Sequence, residues 1–293
     1  MKNLLASAAL VLLLAAPSSA ETPAIDPALY VVRDADSAIY LYGTVHMRPA
    51  GSAWGDSDVR AALAEATEIW TEVEISPAND ARAQALAMQL GAAPAGRPLS
   101  SWLSAEENER LNALMTRLRL PAGSLEQFQP WTAALTLSLL PLMQAGYSPE
   151  SGVDRAVDAF GDAHGKAMRS FETVEEQLGF LSSFSPELQR AMLREAIDEA
   201  EQGPALIAEM TAAWETGDME TLGRLVVEDT RQQYPELYEV LFARRNAAWI
   251  EVLTQEMAGA GVDFVAVGAG HIVGEDGLVA QMRARGFSVE RVE

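Results

Sequence analysis

Apolar alternation typical of strands occurs near both ends of the chain, whereas the middle has helical patterns. The segments Leu29–Arg33 and Ile39–Tyr42 flank a turn-rich stretch, which predicts a β-hairpin. An Ala-rich segment from about Ser57 to Thr67 predicts a helix, and Ile69–Ile75 predicts another strand. The chain therefore begins with the order ββαβ.

Helical patterns dominate the next part of the chain. Ala-, Leu- and Met-rich segments predict helices over 80–90, 105–118, 131–144 and 153–161, and again from 174 to about 257. Lys166–Phe171 predicts a short strand between them. Phe264–Val267 then predicts a buried strand, Asp276–Arg285 a helix and Phe287–Val292 a last strand. We therefore expect an α/β (α+β) fold, a single domain over 21–293 in which a sheet platform carries a helical insertion at about 77–260.

The first twenty residues have the pattern of a cleavable signal peptide. Lys2 is followed by an apolar run over Leu4–Ala16 and by small residues that end at Ala20. The run is too short to span a bilayer comfortably, and the absence of cysteine excludes lipid attachment at a cysteine. We therefore expect a periplasmic or secreted protein without a stable membrane anchor. An uncleaved anchor is the alternative.

Charge and cysteine content exclude several classes of function. The chain has 42 acidic and 21 basic residues and a formal charge of −21, which argues against binding to nucleic acid or anionic membranes. Solubility is the simplest reason for this acidity. With no cysteine, the chain cannot form disulfides, a thiolate zinc site, an iron–sulfur cluster or a thiol nucleophile. A histidine site must use His46, His164 or His271.

Two G-x-x-H motifs follow predicted strands, Gly43–His46 near the start and Gly268–His271 near the end. We expect each glycine to allow a sharp turn at the carboxyl end of its strand. Ligands bind at that edge of open α/β sheets, so the pattern predicts that His46 and His271 share a site. The alternative is two loop histidines with separate hydrogen-bonding roles. His164 has the setting of a surface-loop residue without a functional role.

Carboxylates accompany the histidines. Alternation along the strand places Glu72 and Glu74 on one face, and Glu172 follows a predicted strand. Imidazole and carboxylate together suit Zn²⁺, Mn²⁺, Co²⁺ or Fe²⁺. The alternative for Glu72 and Glu74 is an edge strand with a solvated face. Arg245, at a predicted helix start, either is exposed or reaches a carboxylate or substrate oxygen, and the pattern alone favours exposure.

Several common catalytic motifs are absent from the sequence: G-x-S-x-G, H-E-x-x-H and G-x-x-x-x-G-K-[ST]. Gly268–Gly274, with Glu290 beyond it, is similar to a dinucleotide-binding fingerprint. Its last glycine comes one position late, which disfavours nucleotide binding.

Five ordered motifs resemble the TraB/GumN family, which is related to PrgY and to the animal Tiki proteins. They extend over nearly the whole expected mature chain: Ile39–His46, Ile69–Glu74, Gly152–Asp154 with Phe171–Thr173 and Gln177, Arg245–Trp249, and Phe264–Gly274. The resemblance implies a fold like the erythromycin-esterase/ChaN group, with a site built from both G-x-x-H histidines and the strand glutamates. Tiki proteins are regarded as metal-dependent peptidases that favour manganese or cobalt, whereas most GumN-type bacterial members lack an assigned substrate.

The leading hypothesis is therefore an exported metal-dependent hydrolase, most simply a peptidase acting on a peptide or small-molecule substrate. His46, His271 and Glu72 would hold a divalent metal such as Mn, Co or Zn, with an open position for water.

Three further residues complete this hypothesis. Glu74 or Glu172 would accept the proton of the water, and Arg245 would stabilise the oxyanion. The alternative is a non-catalytic periplasmic binding or accessory protein of the same fold, whose ligand is a peptide, a metal-bearing molecule or an envelope polysaccharide.

Overall fold

The computed structural model describes residues 25–202 and 205–292, so the expected signal peptide over residues 1–20 lies outside the described residues. The strands are β1 (Leu29–Arg33), β2 (Ser37–Thr44), β3 (Arg48–Pro49), β4 (Glu68–Val73), β5 (Tyr147–Ser148), β6 (Ala167–Glu172), β7 (Gly261–Gly268) and β8 (Ser288–Arg291). The α-helices are α1 (Ser57–Glu65), α2 (Pro77–Leu90), α3 (Ala105–Arg117), α4 (Pro130–Gln144), α5 (Val153–Ala163), α6 (Val174–Ser182), α7 (Pro186–Gln202), α8 (Ala205–Glu215), α9 (Met219–Leu222), α10 (Asp229–Gln233), α11 (Pro235–Tyr238), α12 (Arg244–Glu256), α13 (Ala269–Ile272) and α14 (Leu278–Ala284). Short 3-10 turns cover Leu99–Trp102 and Pro149–Ser151, and π-helical segments cover Gly223–Glu228 and Glu239–Ala243.

The described residues form a six-stranded sheet with the order β6-β4-β7-β2-β1-β8. Strands β6, β4, β7 and β2 are parallel, whereas β1 pairs antiparallel with β2 and β8. The α/β class is confirmed. The carboxyl ends of the four parallel strands meet at one edge of the sheet, where open α/β folds bind ligands.

Most predicted elements are present with shifted ends. The hairpin is confirmed, but β2 continues to Thr44, past the predicted end at Tyr42. Strand β4 ends at Val73, which leaves Glu74 just beyond it. Because β4 lies between β6 and β7, the alternative of an edge strand is wrong. Strand β6 ends at Glu172 and joins the main sheet, so it interrupts the predicted helical insertion.

Both faces of the sheet are covered, which explains the nearly continuous apolar character of its central strands. Tyr40 and Tyr42 of β2 pack on one face with Trp214 of α8. Ile39 and Leu41, which alternate with the tyrosines, pack on the other face with α12 and α14. A separate apolar cluster joins α3, α4 and α7 away from the sheet. The sheet is therefore packed on both faces, and helices surround its carboxyl edge.

None of the described helices combines the length and apolar character needed to cross a membrane.

Candidate active site

Five residues at or just after strand ends lie at the carboxyl edge of the parallel sheet. Glu72 is the penultimate residue of β4, Glu172 is the last residue of β6, and Gly268 is the last residue of β7. His46 follows β2 by two residues, and His271 lies in the short helix α13 directly after β7. The prediction that the two G-x-x-H motifs meet at one edge of one sheet is therefore confirmed.

Arg245 of α12 lies at the centre of this group. Its Nε and Nη2 donate to the two oxygens of Glu172 at 2.7 and 2.8 Å, and Nη2 also donates to Glu72 Oε2 at 2.6 Å. Nη1 lies 3.3 Å from the carbonyl oxygen of Leu241 and 3.1 Å from His271 Nε2. A guanidinium has five N–H groups, and these contacts use all of them within the protein. The expectation of an exposed Arg245 is wrong, because the residue is only 7% exposed.

The hydrogen bonds of His271 define its tautomer. Asn246 Nδ2 donates to the carbonyl oxygen of Asp276, which turns Asn246 Oδ1 toward His271 Nδ1 at 2.6 Å. Because Oδ1 can only accept, Nδ1 carries the proton and Nε2 accepts from Arg245. Burial, opposed only in part by Glu72, lowers the pKa of His271 to about 3. His271 is therefore a neutral imidazole.

Burial raises the pKa of both glutamates, but the surrounding groups offset it fully only at Glu72. Burial alone would raise the pKa of Glu72, but the charges of Arg245 and His46 and the N–H of Gly268, 2.7 Å from Oε1, lower that pKa below its usual range. Burial raises the pKa of Glu172 in spite of its pairing with Arg245. Gln177 donates to Glu72 and Trp249 donates to Glu172, both at 3.1 Å. The site thus holds one firmly ionised carboxylate and one carboxylate that ionises less readily.

His46 has a more open setting than His271. Its side chain is 65% exposed, and Nδ1 lies 3.4 Å from Asp154 Oδ2. This hydrogen bond with Asp154 raises the pKa of His46 to about 9. Asp154 lies in the first turn of α5, so the start of this helix orients the imidazole at the mouth of the site.

The glycines of the two motifs are required for close packing. A Cβ at Gly43 would lie 3.0 Å from both Cα and Cβ of Ala269, so Gly43 lets β2 contact the start of α13. A Cβ at Gly268 would lie 3.1 Å from Glu72 Oε1, 3.7 Å from His271 Cδ2 and 3.8 Å from His46 Nε2. The expected sharp turn is wrong, because Gly43 lies within β2 and neither glycine has a positive φ. Gly268 instead marks a point on which three candidate ligands converge.

Glu74 is separated from this cluster. It is exposed and lines the same cavity as Glu72. It is not one of the residues described above that contact Arg245. His164 caps the end of α5, where its ring stacks on Phe160 at 4.0 Å between centroids. Its predicted exposed position outside the site is confirmed.

Sequence reasoning assigned no role to several residues that hold the site together. They are Asp154, Gln177, Asn246 and Trp249, which contact His46, Glu72, His271 and Glu172 respectively. All four lie in the motifs quoted for the family resemblance. The signal was therefore present in the sequence, but it carried no information about which partner each residue meets.

The donor set fits a divalent metal in kind, because two imidazoles and a carboxylate oxygen converge near Gly268. Over residues 25–202 and 205–292, however, no group of three or more His, Asp or Glu side chains is arranged to hold an ion. In addition, Arg245 Nη1 faces the free lone pair of His271 Nε2, the atom that a metal would need. Metal binding at these residues requires the Arg245–His271 contact to open.

Two cavities meet at the site. The acidic cavity, of about 510 Å³, is lined by Glu72, Glu74, Asp80 and Asp154 and by apolar side chains of α6. The apolar cavity, of about 390 Å³, lies on the other side, between α4, α8 and the π-helical segments. His46, Arg245, Thr44 and Leu241 line both. An extended molecule can therefore lie with one of its bonds beside His46, one half in the acidic cavity and the other half in the apolar cavity.

The fold and site define an α/β protein in which two G-x-x-H histidines and two strand-end glutamates surround a buried arginine. The chain belongs to the TraB/PrgY/gumN family, whose family model matches residues 28–291. The family resemblance of the sequence motifs is thereby confirmed.

The chain is also similar to an uncharacterized protein of Treponema pallidum (strain Nichols), with 25% identity over 195 residues. The match covers 62% of this chain and 58% of the relative, which is less than two thirds of the relative's length. No solved structure matches the chain.

Proposed function

We propose that this protein is an exported, metal-dependent hydrolase of amide bonds, with peptides as the first substrates to test. The observation that carries the proposal is that His46 Nε2, Glu72 Oε1 and the imidazole ring of His271, through Cδ2, all lie close to Gly268. These three residues would hold the metal. When bound, the ion would supply a water of lowered pKa and would polarise the carbonyl of the substrate.

Of the two carboxylates considered as proton acceptors, Glu74 is the better placed. Glu74 lines the acidic cavity, whereas Glu172 is not one of the described residues that line this cavity. Both oxygens of Glu172 already accept hydrogen bonds from Arg245, and one also accepts from Trp249. We therefore assign proton transfer to Glu74, and to Glu172 the role of holding Arg245 in place.

Arg245 acts in this proposal as a positioning residue. Its N–H groups are all used within the protein, so donation to an oxyanion would require one existing hydrogen bond to be exchanged. In its present place it holds the buried carboxylates of Glu72 and Glu172 in a fixed orientation through hydrogen bonds. Asp154 orients His46, which lies at the mouth of the site and lines both cavities.

A non-catalytic binding protein is the second candidate. The observation that favours it is the closed network around Arg245, which pairs with both carboxylates and faces the lone pair of His271. Such a site could retain a ligand in its two cavities without turning it over.

One experiment separates the two. The purified protein is loaded with Mn²⁺, Co²⁺ or Zn²⁺, its metal content is measured, and cleavage of a peptide library is followed with and without a chelator. Bound metal together with chelator-sensitive cleavage supports the hydrolase. Metal-free protein that cleaves nothing, or cleavage that a chelator leaves unchanged, contradicts the metal-dependent hydrolase.

A further inference from the structure

The apolar cavity beside His46 continues into a second cavity of the same size. Each has a volume of about 390 Å³, and the two share Leu139, Leu142, Ile207, Met210, Val226 and Phe242 among their lining residues. We call this continuous space the apolar groove. It leads from the candidate site between α4, α8 and the two π-helical segments toward the exposed side chains of Leu139 and Leu206.

The walls of the groove offer few partners to a polar ligand. The walls consist mainly of side chains that project from helices. The backbone N–H and C=O groups of these helices are already paired within them. Away from the candidate site, the polar residues on the walls are Ser138, Tyr147, Glu199, Thr211 and Thr230, of which Thr230 already donates to the carbonyl oxygen of Val226. A peptide in this groove would bury amide groups without partners, which costs free energy for each group. An alkyl chain has no such groups.

The groove is continuous with the chemistry of the site. Its inner end is lined by His46, Arg245 and His271, beside Gly268. Beyond His46 and Arg245 the lining changes to Glu74, Asp80 and Asp154 of the acidic cavity. A molecule that spans both cavities therefore needs an apolar half, a reactive group at the junction and a polar half.

We propose that the apolar groove binds an unbranched alkyl chain, so that the substrate is an N-acyl amide whose carbonyl lies beside His46 and whose polar half occupies the acidic cavity. The reaction part of this inference rests on the proposed function. In that reaction water adds to the acyl carbon, the C–N bond breaks and the nitrogen takes a proton, which gives a carboxylic acid and an amine.

Binding is tested without turnover by neutral methyl ketones from hexanone to dodecanone, which carry a carbonyl and an alkyl chain but cannot be hydrolysed. Calorimetric titration of the full-length protein should show affinity that rises about fourfold for each added methylene until the groove is filled. The Leu139→Glu variant places a charge on the groove wall and should weaken dodecanone binding at least tenfold. Leu139 is 44% exposed in the free protein, so this substitution leaves the core intact.

The Met88→Glu variant is the matched control, because Met88 is 56% exposed and lies outside the residues that line the groove. It should bind dodecanone as the unaltered protein does. The inference is overturned if affinity does not depend on chain length, if both variants weaken binding equally, or if a capped tri-leucine peptide binds as tightly as dodecanone. Because ketone binding needs no hydrolysis, failure of the proposed function would leave this result readable.

Discussion

Arg245 and Glu172 form a bidentate ion pair, with Nε–Oε1 and Nη2–Oε2 distances of 2.7 and 2.8 Å. Both side chains are buried, and the remaining N–H groups of Arg245 contact Glu72, Leu241 and His271. A pair that is removed from water in this way is sensitive to the loss of either partner, because the other charge then stays buried without compensation.

Arg245→Gln should therefore lower the free energy of unfolding by about 3 to 5 kcal/mol. The neighbouring Arg244 is the control, since it is 69% exposed and pairs with Glu239 at the surface. Arg244→Gln should change stability by less than about 1 kcal/mol. Urea unfolding of both variants measures the difference. Equal effects of the two substitutions would show that the Arg245 network does not stabilise the fold.

The sequence predicted the sheet edge well because strand patterns and G-x-x-H motifs are local. Residues that follow parallel strands must meet at one edge, so His46, Glu72 and His271 could be placed together from pattern alone. The partner of Arg245 could not be predicted in this way. Its burial depends on how α12 packs against the sheet, and helix periodicity gives no register between distant elements. The same holds for Asp154, whose contact with His46 joins distant parts of the chain.

The structure changes one expectation about histidine substitutions. The sequence predicts that both motif histidines lie just past strand ends, and at such positions the loss of a side chain commonly leaves no core cavity. His271 instead is 3% exposed and packs on Trp249 with 4.4 Å between ring centroids. His271→Ala should thus cost about 2 to 4 kcal/mol, whereas the exposed His46 should be removable at little cost.

Metal binding should depend on both motif histidines and on Glu72. At temperatures where each variant is still folded, the metal affinity of His46→Ala and of His271→Ala should be lower by orders of magnitude, because alanine offers no donor atom. Glu72→Gln should weaken it comparably, since an amide oxygen is a poorer ligand than a carboxylate. Metal content by elemental analysis and thermal melting measure both effects. His164→Ala is the control, and the assignment fails if it loses as much metal as the other variants.

Asp263 should make the protein less stable as pH rises. Burial, followed by the charges of Glu256 and Glu68, raises its pKa from 3.8 to about 6. The folded state therefore holds this proton more tightly than the unfolded state, and its stability falls as pH rises through the interval between the two pKa values. Asp263→Asn should raise the free energy of unfolding at pH 7 by up to about 3 kcal/mol.

At a pH below about 4, where Asp263 is protonated in both states, this gain should disappear. Denaturant unfolding across this pH range measures it. The exposed Asp36 provides the control, and Asp36→Asn should change the free energy of unfolding by less than about 0.5 kcal/mol. A constant gain for Asp263→Asn at every pH would contradict the role of its ionisation.

Export should remove the first twenty residues. Expressed with its own amino terminus in a bacterial host with a periplasm, the protein should be recovered from the periplasmic fraction with Glu21 as its first residue. Mass spectrometry of the amino terminus measures this. Leu13→Arg interrupts the apolar run and should leave the chain unprocessed inside the cell. Recovery of unaltered protein in the membrane fraction with Met1 intact would instead support an uncleaved anchor.

Gly268→Ala tests the convergence point itself. The added methyl group would lie 3.1 Å from Glu72 Oε1, closer than an ordinary contact, and 3.8 Å from His46 Nε2. Gly268 has a φ of −48°, so alanine is compatible with the backbone. We therefore expect a folded protein in which the methyl group displaces Glu72 and occupies the space for a metal, so that metal affinity falls at least tenfold. Isothermal titration with Mn²⁺ or Co²⁺ measures this fall.

Gly179→Ala is the matched control for the same substitution. Gly179 lies within α6, and a Cβ there would meet nothing within 4 Å. Alanine at this helical position should leave metal affinity unchanged and should add up to about 1 kcal/mol of stability. If Gly268→Ala binds metal as tightly as Gly179→Ala, then the point surrounded by His46, Glu72 and His271 is not where the ion binds, and the non-catalytic binding protein becomes the better hypothesis.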